Sequence, residues 1–280
     1  MRTNATLRSI FLVTFFCSLI AHAQIQRCGT PNPPQTVPEN PSFRKQAGTI
    51  ISVPVIFHVI YDSNDSGNVP EFQLRAQIDT LNAAHSRAGT QFSFYMAAIT
   101  RTQKYQWFNI SQGSQAVTEM TDTLAIDPKH AFNVYVTKLA SSVLGWVIKW
   151  PWDTTDGYES SRRHGVVIHN GSLPGGDIPD YNYGYTLVHE AGHYLGLYHT
   201  FQNECSSPGD EVDDTPYEAY PNFGCPNPNP DTCPQTGLDP IHNYMDYSDD
   251  PCMYEFTGGQ GTRSSSIVGQ HKPSLGGTTL

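Results

Sequence analysis

Hydrophobic positions in residues 49–61, TIISVPVIFHVIY, fall on alternate residues: Val53, Val55, Phe57, Val59 and Tyr61. A period of two predicts a strand with one buried face. Pro54 has no N–H to give a neighbour, which predicts an unpaired edge near the start of that strand. The period changes in residues 70–89, PEFQLRAQIDTLNAAHSRAG, where Leu74, Ile78, Leu81 and His85 recur at helical spacing. Pro70 suits the first turn of this helix and Gly89 its exit, with His85 expected on the helix surface. Residues 91–97 and 131–139 read as strands, 141–152 as a loop or short strand, and 164–170, HGVVIHN, as a last strand before a helix near 186–196.

Beyond residue 200 the periodicity stops, and Pro, Asn and Asp dominate. Cys205, Cys225, Cys233 and Cys252 cluster in this stretch, where crosslinks would replace a missing core. Four cysteines permit three pairings, and spacing does not choose among them. Zinc binding by these thiols is the alternative to disulfides.

The 280 residues suit one catalytic domain with short flanks. A net charge of −10 argues against a nucleic-acid partner, which wants a basic face. Arg2 and Arg8 flank the start of an apolar run, IFLVTFFCSLI at 10–20, followed by AHA at 21–23. This reads as a signal peptide over 1–23, cleaved after Ala23, with Cys17 leaving with it. The run is short for a membrane span, and no later segment is apolar enough for one. A secreted, extracellular protein is expected, with Asn64, Asn109 and Asn170 as glycosylation sequons.

Candidate chemistry lies in HEAGHYLGLYH at 189–199. His189 and His193 are four apart, so both imidazoles share one helix face. Gly196 allows the chain to leave the helix sharply, and His199 then returns to the same point. Three imidazoles from two chain segments suit a catalytic Zn(2+), which keeps a fourth position open for water. Glu190 is placed to take a proton from that water. The extended motif fixes five positions and is far more specific than HExxH alone.

HNYMDYS at 242–248, together with CSSPGDEVDDTP, FGCP, DTCP and GVVIHNGSLPGG, completes a resemblance to the metzincin metallopeptidases. Within them the chain resembles the pappalysin, or cytophagalysin-like, family over roughly residues 50–257. The resemblance implies an α+β metzincin-type catalytic domain. A mixed, twisted sheet carries a backing helix and the zinc helix above the cleft, with an irregular, disulfide-bonded lower subdomain beneath. It implies a zinc endopeptidase acting on protein or peptide substrates, with Met245 as the Met-turn floor and Tyr247 holding the oxyanion. It implies the pairs Cys205–Cys233 and Cys225–Cys252, and a strand near 165–170 that pairs as an edge with extended substrate.

Other features carry two readings each. Cys28, in RCGTPNPP, is either a latency switch that fills the open metal position or a free or cross-paired cysteine in an extended, poorly folded arm. Residues 24–45 are the expected pro-segment, with Arg44-Lys45 as its processing site and 46–257 as the catalytic domain. GDEVDDTP at 209–216 is a candidate Ca(2+) loop or a solvated acidic turn. Trp146, Trp150 and Trp152 are packing residues or a carbohydrate platform. Residues 258–280 show no helical stripe, and a disordered tail is expected, which departs from the family. That departure motivates the alternative of a catalytically silent, zinc-containing binding protein.

Overall fold

The computed structural model describes residues 25–33, 36–44 and 49–277. The expected signal segment, Cys17 and Lys45 of the dibasic pair lie outside the described residues. In chain order the elements are β1 (Gln26–Cys28), β2 (Ile51–Tyr61), α1 (Glu71–Arg87), β3 (Phe92–Gln103), α2 (Gln115–Leu124), β4 (Phe132–Thr137), β5 (Val143–Val147), β6 (Gly165–His169), α3 (Tyr185–Tyr194) and α4 (Gly258–His271). The six strands form one mixed sheet in the order β1-β5-β6-β4-β2-β3, parallel throughout except for the antiparallel β5–β6 pair.

Both faces of this sheet are covered, so β2 is buried on both sides rather than one. Val53, Val55, Phe57 and Val59 point into the main core with Leu74, Leu81, Leu187 and Val188 from α1 and α3. On the opposite face Ile60, Tyr135, Trp146 and Val167 pack with Val117 and Met120 of α2, a helix that sequence periodicity did not reveal. Pro54 pairs with β3 but lies one residue ahead of Val55, where β4 begins its pairing, so the missing N–H falls where no β4 partner exists.

Four further expectations need correction. His85 is buried, not on the surface: its ring packs against Phe92, Phe94 and Phe256, and Nδ1 lies 3.0 Å from the Thr90 hydroxyl. β6 is no edge, because β5 and β4 occupy both its sides. The arm around Cys28 is not poorly folded, since β1 lies along the outer edge of β5 with Arg27 and Cys28 fully buried.

The fourth correction concerns the tail, which forms α4 rather than a disordered end. A capping box starts it: Gln260 N donates to Thr257 Oγ1 (3.1 Å), and Thr257 N donates to Gln260 Oε1 (2.9 Å). Its buried face is made of Ser264, Ser265 and Ser266 beside Arg263, Ile267 and Val268, so no apolar stripe announces it. Ser266 donates to the Asn40 carbonyl (2.7 Å). Gly196 has a φ of +96°, and a Cβ there would come within 2.4 Å of Ile267. The glycine thus serves both the turn and the close approach of α4.

Disulfides join Cys205 to Cys233 and Cys225 to Cys252. Asn64 and Asn109 are exposed, whereas Asn170 is half-buried and its sequon serine, Ser172, is covered. Among the described residues no helix is long and apolar enough to cross a membrane.

Candidate active site

Helix α3 enters the core beneath the sheet with His189, Glu190 and His193 fully buried. The turn at Gly196 brings His199 back towards them, and Cys28 arrives from β1. One donor atom from each of Cys28, His189, His193 and His199 lies within 4.8 Å of the others. His189 donates through Nδ1 to the Tyr244 carbonyl (2.7 Å), and His193 through Nδ1 to the Leu197 carbonyl (2.8 Å). Those bonds fix the tautomer and leave the Nε2 lone pairs facing inward. His189 Nε2 is buried with no partner, and His193 Nε2 lies 3.0 Å from His199 Nε2. With the His189 and His193 Nε2 lone pairs turned inward and the His199 ring beside them, the donor set fits a metal ion.

Electrostatics agree. Burial holds His193 down at about 4, and burial with the neighbouring imidazoles puts His189 and His199 well below the ordinary histidine value. All three imidazoles are neutral at pH 7. Burial pushes the Cys28 thiol well up, and the Glu190 charge adds to it. A thiolate there therefore needs a positive neighbour.

Glu190 projects beside this cluster. Gly145 on β5 makes the room: a Cβ at that position would lie 3.0 Å from Glu190 Cγ. Burial pushes the carboxyl up to about 8 against the opposing hydrogen bonds from Cys28 and Thr30. Met245 is fully buried beneath α3, where Gly192 admits it; a Cβ on Gly192 would sit 2.4 Å from the Met245 sulfur. The Tyr247 ring stands 5.1 Å from His199, and its hydroxyl, kept protonated by burial, donates to the Cys28 carbonyl (3.1 Å).

Sequence reasoning missed three residues here. Arg27 donates to Asp250 Oδ1 (2.8 Å) and to the Ser248 carbonyl (2.6 Å), with neither charged side chain exposed. Thr30 donates to Glu190 Oε2 (3.0 Å) and accepts from the β5 amide of Val147 (2.8 Å). Their adjacency to Cys28, and that of Asp250 to the Met245 segment, was the available signal. Three acids of the 209–216 loop have partners: Asp210 accepts from Thr215 (2.7 Å), Asp214 from Gly259 N on α4 (2.8 Å), and Glu211 pairs with Arg263 (3.0 Å). Among the described residues, the Cys28–histidine cluster is where at least three potential ligands converge.

Residues 117–269 match the peptidase M43 family, described as Pregnancy-associated plasma protein-A. The chain is similar to Extracellular metalloprotease 1 of Coccidioides posadasii, 36% identical over 93% of this chain and 96% of that protein. It is 40% identical to an extracellular metalloprotease of Sordaria macrospora, over 81% of this chain and 78% of that one. Among solved structures it resembles a mutant of Tannerella forsythia promirolysin, with a TM-score of 0.69, 27% identity, and 82% of this chain and 85% of that one covered. Mature mirolysin in complex with a cleaved peptide matches with a TM-score of 0.67 and 28% identity, covering 79% of this chain and 92% of that one.

Proposed function

This chain belongs to the peptidase M43 family and is an extracellular metalloendopeptidase, and from that premise we propose that His189, His193 and His199 hold a zinc ion in a site kept latent by residues 26–30. The observation that carries the proposal is the convergence of those three imidazoles with Cys28 beside Glu190. Bound there, zinc would supply Lewis-acid activation of water and of a peptide carbonyl.

The chain's own residues do the rest. Glu190, as the carboxylate buried beside the three imidazoles, takes a proton from water and returns it to the leaving amine. Tyr247 donates its hydroxyl hydrogen to the carbonyl oxygen as charge develops there. It already donates to the Cys28 carbonyl, so the arm occupies the place of a substrate backbone. Cys28 would be a further ligand to that ion, Thr30 engages Glu190, and β1 occupies the free edge of β5. Residues 24–45 act as the removable arm, released near Arg44-Lys45, leaving the chain from residue 46 onward as the mature enzyme. The buried Arg27–Asp250 contact supports a pocket for a basic side chain next to the scissile bond. Calcium at 209–216 stays outside this proposal, because Asp210 and Asp214 already have partners.

The alternative of a silent binding protein rested on a disordered tail, and α4 removes that motive. The test is Glu190→Ala in the processed enzyme. It keeps one zinc per chain and loses peptide cleavage by about 10²–10⁴-fold. Wild-type cleavage rates in that variant would refute the assignment.

A further inference from the structure

Beyond Thr30 the arm leaves β5 and crosses an aromatic wall. Trp150 and Trp152 stack at 4.9 Å, and both meet Tyr198 edge to face at 5.6 and 5.7 Å. This wall adjoins the catalytic cluster, since the Trp150 ring lies 5.2 Å from that of His193. Trp146 is a separate case, packed in the α2 core. Along this stretch Pro31 and Asn32 are exposed and Pro33 is buried. Trp150 Nε1 donates to the Pro31 carbonyl (3.3 Å). Further along, Val37 N donates to the Tyr198 hydroxyl (2.7 Å), and Arg263 donates to the Val37 carbonyl (2.9 Å).

These contacts have the chemistry of proline recognition. Proline fixes φ and brings no N–H, so a chain bearing it needs donors for its carbonyls and flat apolar faces for its rings. An indole N–H beside stacked aromatics supplies both. We infer that the Trp150–Trp152–Tyr198 wall is a substrate subsite that favours proline in an extended polypeptide. Along the arm it lies on the far side of Cys28 from the Arg27–Asp250 pocket. The inference rests on the arm being a stand-in for substrate, as proposed above. In the arm, Arg27 and Pro31 are four residues apart, which sets the distance at which a substrate's basic residue and proline are read together.

The test uses the metal-loaded enzyme matured by release of its arm. Paired peptides carry one fixed arginine and either proline or alanine three to six residues away, on each side in turn. On one side the proline peptide should show a roughly tenfold higher kcat/KM, the discrimination expected of one apolar subsite. The proline-to-alanine ratio should fall towards one in Trp152→Ala and in Trp150→Phe, which keeps a ring but loses the donor. Because the readout is a ratio, a general loss of activity cancels. Tryptophan fluorescence of the processed Glu190→Ala protein supplies a second readout. TPNPPQTV, the arm's residues 30–37, should bind at least several-fold tighter than TANAAQTV. Peptides cut with no proline preference on either side, or a ratio unchanged in Trp152→Ala, would overturn the subsite. If no peptide is cut, the peptidase reading fails separately, and equal binding of the two octapeptides overturns the subsite by itself.

Discussion

On the sheet side of the cleft, Val55, Phe57, Val134, Val166 and Leu187 meet in one apolar core built from regular strands and helices. Below the cleft, the chain from Thr200 to Phe256 contains one short 3-10 turn at Asp250–Cys252 and a single bridge between Asn243 and Glu255. Polar contacts replace the ladder there. Thr200 donates to Glu218 (2.6 Å), Asn222 N to Asp246 (3.0 Å) and Thr232 N to Asp239 (3.0 Å), and two disulfides close the loops. The proposed site draws on both halves. Two histidines and Glu190 come from a helix locked in the core, and His199, Met245 and Tyr247 from the crosslinked half. Rigid placement of catalytic groups thus follows from two different kinds of stabilisation.

The contrast can be broken from either side. Phe57→Ala removes a fully buried ring from the sheet core and should cost about 3–5 kcal/mol, read as a lower denaturation midpoint for the whole domain. A loss under ~1 kcal/mol would mean that the sheet is not the stabilising half. Replacing Cys225 and Cys252 together by Ser opens a loop of separation 27 and should cost about 2–4 kcal/mol. That variant should show early proteolytic nicking between residues 205 and 250, with the strands still protected from hydrogen exchange. Uniform loss of protection would merge the two halves into one cooperative unit.

Acid should act on the sheet half first. Burial holds His58 at about 4 and His85 at about 3, while both titrate near 6.5 once unfolded. Their pKa values are depressed on folding, so the stability they permit is full above pH 6.5. It falls as pH drops towards 4, by up to about 1.4 kcal/mol per pH unit for each histidine. Denaturant titrations at pH 7, 6 and 5 measure the slope. His85→Phe should flatten it, and an unchanged slope would remove His85 from the account.

The sheet half was largely legible from residue patterning, because a period of two or 3.6 is what burial of one face imposes. Its strand order was not, since periodicity carries no information on neighbours, and the edge role that the resemblance implied for β6 does not hold. The motif from His189 to His199 was legible because metal chemistry constrains spacing directly. Helix α4 was hidden because Ser264, Ser265 and Ser266 bury through small size and hydrogen bonds rather than hydrophobicity. Arg27, Thr30 and Asp250 were hidden for another reason. Their role exists only where β1, α3 and the Tyr247 segment meet, and those segments are more than 150 and 200 residues from β1 in the chain.

The central claim is a zinc ion held by His189, His193 and His199 that makes peptide hydrolysis possible. Elemental analysis of the processed enzyme, run alongside cleavage of an arginine-containing peptide during stepwise chelation, tests it most directly. The account predicts one zinc per chain at the outset, with activity and bound zinc falling in proportion and returning together when zinc is restored. Full peptide hydrolysis by protein that contains no transition metal would contradict it.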